Sequence, residues 1–402
     1  MKGIVQEWRA EALRILKDPG ILLLFFGVQL IYPAIYPLPY RNAVLREVPI
    51  VVVDQENSSL SRKLIRMVNA TETVSVSTQV ADLETAREKF IQREASGILV
   101  IPPDFTLHIR QGRTANLPLY CDGSYFLVYR QVAMGVQEAA GTLSAGIEIQ
   151  RLSAQGLPRK QALAARDPLP LRNIFLFNPA GGYGAYIVPA VLVLILHQTL
   201  LIGIGMLGGT GREYGDASPA SSLLSPIAQT LGRILVYLPL YTLHVIWFFG
   251  VLFRIYGYPQ RADLWELFFF LLPFLLATIC LGLSLRHLFR ERVSAMMALL
   301  FTSIPVLFLS GFSWPVEAIP APLRLLSQCL PATPGIAGFL KLNHMGADFS
   351  MVSPEFLQLW AQSLVYFALA CIITGRALKH PARAGQNPLY PTPTQGAAHE
   401  GK

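Results

Sequence analysis

The 402-residue chain is 52% hydrophobic and only 14% charged, with a mean hydropathy of +0.43 and a net charge of +8. That balance lies outside the soluble range and points to an integral membrane protein. The excess of Lys and Arg sits where it would orient membrane spans, which argues against nucleic-acid binding.

Six windows lack Asp, Glu, Lys and Arg over about 19 residues or more: 19–40, 173–211, 234–253, 267–285, 293–316 and 356–375. Each is long enough to cross a hydrocarbon core of roughly 30 Å as a helix. The first is too long for a cleavable signal and ends in the bulky Tyr36-Pro37-Leu38-Pro39-Tyr40, so it is expected to remain as an anchor.

Between the first and second windows the pattern changes. "VPIVVVD" (Val48 to Asp54) and "GILVIPPDF" (Gly97 to Phe105) read as buried strands. A helix between them starts at Asn57 or Ser58 and turns Leu60, Leu64, Ile65 and Val68 to one face. "DLETAREKFIQRE" repeats the plan, with Asp82 as cap and Leu83, Ala86, Phe90 and Ile91 expected inward. A strand at 117–124 and a long helix over 125–152 complete an α/β domain. Asp54, Asp104 and Asp122 close strands, where they are read as turn and helix caps rather than as a reaction centre.

Orientation follows from Lys and Arg in short loops. With the N-terminus inside, the inside holds Lys2, Arg9, Arg14, Lys17, Arg212, Arg233, Arg286, Arg290, Arg292, Arg376, Lys379, Arg383 and Lys402, and the outside only Arg254, Arg261, Arg324 and Lys341. Thirteen against four places both termini in the cytoplasm and the α/β domain outside. The expected architecture is an α-helical polytopic membrane protein with six transmembrane helices and an extracytoplasmic α/β domain. Residues 1–40 form the N-terminus and first span, 41–172 the α/β domain, 173–376 a five-helix transmembrane domain, and 377–402 a disordered cytoplasmic tail.

The four cysteines show no CxxC, no histidine spacing and no metal motif, leaving a Cys121–Cys329 disulfide conceivable. "GGTGREYG" (Gly208 to Gly215) lacks the ending of a phosphate loop and follows a span instead of a strand, so the chain has no nucleotide site of its own. His197 and Gln198 in the second window, with Thr302 and Ser303 in the fifth, are polar groups in hydrocarbon and candidates for a substrate path. "LFLSGFSWPVEAIPAPLRLLSQCLPATP" (Leu307 to Pro334) is apolar but broken by prolines. Within it Leu323, Leu326 and Leu330 share one helical face, and Arg324, Ser327 and Gln328 the other. Such a segment, near 312–350, is expected to lie at the outer interface or re-enter the membrane, with Gly311, Pro315, Pro320 and Pro331 shaping a lid.

Taken together, "VVVDQENSSLSRKLI", "GILVIPPDF", "CDGSY", "FNPAGGYGAYIVPAVLVLIL", "GREYG" and the proline-rich stretch resemble the ABC-2 type exporter permeases with a large domain between the first and second spans. The resemblance covers most of the chain. It implies export of a drug-like, lipophilic or lipid/polymer substrate, driven by a separate cytoplasmic ATPase that binds ATP and Mg. It also implies a second permease copy or paralogue and, in Gram-negative bacteria, a periplasmic adaptor and an outer-membrane channel. The chain itself would need no cofactor. Arg212, Glu213, Tyr214 and Gly215 match the family's coupling element, near 209–233. Family members continue directly into a coupling helix, whereas here "DASPASSLLSPIAQTLGR", with Pro219, intervenes. Arg286, Arg290 and Arg292 form a second basic patch, read as lipid-facing orientation charge. A secondary transporter would need a coupling-ion site and an internal repeat, and a receptor would need a cytoplasmic output domain. Neither is visible.

Overall fold

The computed structural model describes residues 2–41, 44–171, 174, 176–179, 181–214 and 225–379. The chain divides into a helical unit, 1–41 with 176–402, and an α/β unit, 42–175.

The helical unit begins with α1 (Lys2–Lys17), which sequence reasoning left unassigned, followed by the first membrane-length helix, α2 (Pro19–Tyr40). Asp18 separates them: its carboxylate accepts from the Gly20 and Ile21 N–H groups at 3.0 and 3.1 Å. Pro19 follows at a position whose missing N–H costs nothing. A π-helical turn over Leu23–Val28 lets the Phe25 ring seat on Gly203, where a Cβ would come within 2.2 Å of it.

In the α/β unit, β1 (Val48–Asp54) is followed by α3 (Ser59–Asn69), β2 (Val74–Val80), α4 (Leu83–Ile91), β3 (Gly97–Ile101), α5 (Phe105–Arg110), β4 (Leu119–Cys121), α6 (Phe126–Ala154) and α7 (Arg159–Arg166). The sheet order is β2-β1-β3-β4, parallel except for β4, which runs antiparallel to β3 with Cys121 opposite Gly97. Ile50, Val52, Leu99 and Ile101 pack against α3 and α6, while Val51, Val53, Ile98 and Val100 pack around Ala86 of α4. Burial on both faces is why β1 and β3 read as unbroken apolar runs. Edge strand β2, "VSVSTQV", alternates with polar residues and escaped the sequence reading; β4 is shorter than expected.

Ser58 caps α3 through the Ser61 N–H and Asp82 caps α4 through that of Thr85, as expected. Asp54 also holds a turn, accepting from the Glu56 and Asn57 N–H groups and the Ser61 hydroxyl; Asp122 accepts from Ser124, and Asp104 lies 3.1 Å from His108. One expectation for α4 fails. Ala86 is buried and Phe90 partly so, but Leu83 and Ile91 are 40% and 70% exposed, because a nine-residue helix covers this sheet face only with its central turn.

The helical unit resumes with α8 (Tyr183–Glu213), α9 (Pro226–Tyr256), α10 (Leu264–Leu285), α11 (Arg292–Leu309), α12 (Ala321–Ser327), α13 (Ala332–Phe339) and α14 (Ser353–Lys379). Six helices, α2, α8, α9, α10, α11 and α14, are long and apolar enough to cross a membrane. The chain is a membrane protein. The apolar window of α8 is 94% buried against 17% in α11 and 22% in α14, so α8 is the axis around which the others pack. Helix α14 reaches Lys379, three residues into the expected tail; residues 380–402 lie outside the described residues. All four cysteines are free thiols.

The fifth window is shorter than expected: α11 stops at Leu309, and Gly311 takes a left-handed φ of +86° that ends it. Pro315 opens a 3-10 turn, Pro320 precedes α12, and Pro331 precedes α13. Helix α13 is buried against α10, with Gly335 and Gly338 receiving the rings of Phe274 and Phe270. Those rings lie six and ten residues into α10, roughly 9–15 Å from its start, so α13 is embedded in the bundle. The two faces expected of α12 are not divided between inside and outside: Arg324 is exposed like the leucines, and Leu330 packs partly on the core. Leu323 and Leu326 are exposed, while Ser327 is 1% exposed and Gln328 accepts from Gln358 and Gln362. In a bilayer the apolar face can point outward, and only the polar groups need a protein partner.

Candidate functional site

At one end of the bundle, α1 presents an unusual pattern. Its buried residues are Glu7, Glu11 and Ile15, and its exposed ones include Val5, Trp8, Leu13 and Leu16. The glutamates are fully buried because α1 lies across the start of α9, with Gly232 so close that a Cβ would come within 2.8 Å of the Ile4 carbonyl oxygen. Arg233, one residue on, donates from Nε to Glu7 Oε1 at 2.9 Å and from Nη2 to Gln229 Oε1 at 3.2 Å. Arg286, which ends α10, donates to Glu11 Oε1 at 2.9 Å, and the Tyr237 hydroxyl donates to the same oxygen at 2.7 Å. Arg14 donates to Glu11 Oε2 at 2.8 Å.

Two carboxylates and three guanidinium groups thus tie α1 to α9 and α10. Burial pushes the Glu11 carboxyl up, but Arg286, Arg233, Arg14 and Tyr237 outweigh it and hold the group well below the ordinary carboxylate range. Glu11 is therefore ionised at neutral pH.

A second junction lies beside it. Arg292, at the start of α11, donates to both oxygens of Asp18 at 2.6 and 2.8 Å, a bidentate pair. Burial raises the Asp18 carboxyl, and the Arg292 bonds with the Ile21 and Gly20 N–H groups bring it to a net depression. The Arg292 backbone N–H donates to Glu213 Oε2 at 3.1 Å, so the end of α8 is tied to the start of α11. The glycine cluster explains how the two helices come so close. A Cβ on Gly208 would come within 2.5 Å of the Arg286 carbonyl oxygen, and one on Gly209 within 2.4 Å of that of Glu291. These glycines serve backbone packing, which is what distinguishes them from a phosphate loop.

Residues 19–372 match the sequence pattern of the ABC-2 family transporter protein, and all six membrane-length helices fall largely within that stretch. The chain belongs to this family. This ABC-2 permease is similar to the probable multidrug ABC transporter permease YbhS of Escherichia coli K12, with 26% identity over 288 residues covering 70% of this chain and 73% of YbhS. It is also similar to the probable multidrug ABC transporter permease YbhR of the same strain, with 25% identity over 335 residues covering 80% of this chain and 84% of YbhR. It is therefore the membrane subunit of an ABC transporter.

Of the coupling residues expected in the permease, Arg212 is half-buried, Glu213 is bonded to α11, and Tyr214 projects with 74% exposure. Gly215 and Pro219 lie outside the described residues. The substrate-path candidates do not share a surface. His197 and Gln198 are 1% and 6% exposed inside the bundle; His197 stacks on Phe274, and neither side chain finds a hydrogen-bond partner among the described residues. Thr302 and Ser303 return their hydroxyls to the carbonyls of Leu299 and Leu300, and Thr302 is exposed. Nearby Thr199 is better satisfied, donating to the Ile195 carbonyl at 2.6 Å and bonding Tyr241 at 3.1 Å and Gln29.

The patch Arg286, Arg290 and Arg292 is not simple lipid-facing charge. Arg286 is 7% exposed and paired with Glu11, and Arg292 is paired with Asp18. Sequence reasoning missed Glu7, Glu11 and Asp18. The available signal was an amphipathic helix before the first span with glutamates at i and i+4 and apolar residues on the opposite side.

Proposed function

We propose that this permease is the transmembrane subunit of an ATP-driven exporter that moves a drug-like, lipophilic or lipid/polymer substrate out of the cytoplasm or the inner leaflet. ATP and Mg²⁺ are bound by a separate cytoplasmic ATPase, and two permease copies, or a copy and a paralogue, flank the pathway. The observation that carries this reading is the end of α8. Tyr214 is free to enter a partner's cleft, while its neighbour Glu213 is tied to α11 and the adjoining ionic cluster ties α1, α9 and α10. A push on Tyr214 would reach several helix ends at once. Arg212 and Gly215 belong to the same coupling element, and Gly311, Pro315, Pro320 and Pro331 frame an outer lid. His197, Gln198, Thr302 and Ser303 are the proposed polar groups along the path. Multidrug appears in the names of both relatives, which favours a lipophilic substrate. A periplasmic adaptor and outer-membrane channel would complete the route in a Gram-negative cell.

Replacing Glu213 and Tyr214 together by alanine is expected to leave membrane insertion intact and to abolish export. It should also weaken ATPase copurification by at least about 2 kcal/mol, or some thirtyfold, as for a buried hot-spot anchor. Wild-type copurification and export by the double variant would place the contact elsewhere.

The orientation that accompanies this reading is the bacterial inner membrane with both termini cytoplasmic and the α/β unit outside, supported by the distribution of Lys and Arg. Cysteines at Ser58 and Thr114 in a cysteine-free background should react with an impermeant maleimide added to intact spheroplasts, and one at Gln386 should not. Protection of the first two reverses the topology.

A further inference from the structure

Three helix ends of the helical unit meet at Arg292, the first residue of α11. Its backbone N–H is held at 3.1 Å by Glu213, the last residue of α8, and its guanidinium at 2.6 and 2.8 Å by both oxygens of Asp18, the residue before α2. Each carboxylate lies at a helix start, where free N–H groups favour negative charge. Glu213 in effect caps α11 from another helix, since Glu291, at the N-cap position, makes no side-chain bond there. Asp18 serves two helices with one carboxylate: Oδ1 accepts from the Gly20 and Ile21 N–H groups as well as from Arg292 Nη2, and Oδ2 accepts from Nη1. The two sides of this joint differ in kind. Toward α8 the contact is backbone on backbone, a Cβ on Gly209 meeting the Glu291 carbonyl oxygen at 2.4 Å and the Arg292 nitrogen at 2.7 Å, so the end of α8 cannot advance without carrying the start of α11. Toward α2 the contact is the ion pair itself, with the guanidinium seated over Gly20, where a Cβ would come within 2.2 Å of Nη2.

We propose that Arg292 is a positioning residue for coupling: through Asp18 it passes a displacement of the end of α8 to the start of α2, the first membrane-length helix. This rests on the reading that Tyr214 receives the ATPase, and it adds the route onward from that contact. A bidentate Arg–carboxylate pair fixes direction as well as distance, so the start of α2 follows α11 instead of sliding past it. The side chains of Asp18 and Arg292 are 11% and 27% exposed, which shields the pair from the screening that weakens a surface contact. Fastening α2 into the bundle does not depend on the pair. Phe25 seats α2 on Gly203, ten residues before the end of α8, and Asp18 caps α2 with or without Arg292. Helix α1 is held separately, by Glu7 and Glu11 on Arg233 and Arg286. Breaking the pair therefore removes transmission to the start of α2 and leaves the fold standing.

The test uses the full-length permease with its copurifying ATPase in liposomes, and ethidium as the exported probe. Asp18→Asn keeps a side-chain oxygen to cap α2 but removes the charge that holds Arg292. It should leave ATPase copurification and ATP hydrolysis near wild type and lower ethidium export per ATP hydrolysed by about tenfold. Arg292→Lys, which keeps the charge without the fork, should fall between the two. Wild-type export per ATP in both variants overturns the proposal. So does a parallel loss of copurified ATPase, which would make the pair part of the docking surface. A second measurement needs neither substrate nor ATPase. In the permease alone, Glu213→Ala should speed hydrogen exchange at the Gly20 and Ile21 amides several-fold, and adding Asp18→Asn should produce less than the sum of the two single effects. Unchanged exchange in Glu213→Ala, or strict additivity, overturns the joint. If the unaltered permease copurifies no ATPase, the docking reading fails, and the exchange result still decides whether Arg292 links α8 to α2.

Discussion

Glu11→Ala is expected to destabilise the permease by about 3–5 kcal/mol, the range for removing one partner of a buried ion pair. Arg286 and Tyr237 both lose their acceptor, Arg14 loses its closest one, and Arg233 is left with Glu7 in a site nearly closed to water. The loss should appear as a lowered melting midpoint in detergent and as reduced protein in the membrane. The double variant Glu11→Leu with Arg286→Met removes both charges and should recover a substantial part of the deficit, because a buried pair replaced by apolar groups of similar volume is often nearly neutral. A Glu11→Ala protein that melts with the wild type would show that the cluster carries no net stability. The pH dependence has a definite sign. The folded-state carboxyl of Glu11 is depressed, so its contribution is present above the ordinary carboxylate value of about 4.3 and fades as pH falls below it.

Gly209→Val should be the most disruptive single change in the glycine cluster, while Gly211→Ala, two residues away, should be tolerated or mildly stabilising. A side chain at Gly209 meets the backbone of Glu291 and Arg292 at 2.4–2.7 Å, and a backbone cannot step aside as a flexible side chain can. Overpacking of this kind costs roughly 1–3 kcal/mol or more, and here it also pushes α11 off α8 and disturbs the Arg292–Glu213 and Arg292–Asp18 bonds. At Gly211 nothing lies within 4 Å of the added methyl, and Ala gains up to about 1 kcal/mol of helix propensity. Transport and thermal stability of the two variants, measured side by side, check the contrast. Equal effects would mean that the close approach of α8 to the α10–α11 turn is not maintained in the membrane.

The exposed leucines of α12 and the burial of Glu7 and Glu11 both depart from a helical wheel, for different reasons. A helical wheel assigns the polar face outward on the premise that water is the solvent, and that premise fails for α12, whose leucines are exposed while Ser327 turns inward. For α1 the premise fails for another reason. The glutamates are drawn inward by Arg233 and Arg286, which are 222 and 275 residues or more away in the chain, so no local pattern contains the partners. Leu83 and Ile91 show the converse error, since apolar residues at helical spacing were expected inward where too little sheet exists to cover them.

What the sequence determined by itself is everything governed by the composition of a continuous segment. Six apolar windows became six membrane-length helices because hydrocarbon admits only backbone that satisfies its own hydrogen bonds. Strands β1 and β3 and the caps at Ser58 and Asp82 followed because strand burial and capping are local. Only the tertiary structure decided which charges neutralise one another and which helix forms the axis. It likewise decided where α13 lies and why Gly208 and Gly209 are glycine. Each of these depends on the distance between segments remote in the chain, and pairing a buried charge or admitting a neighbouring backbone is a property of that distance, which no single stretch of residues carries.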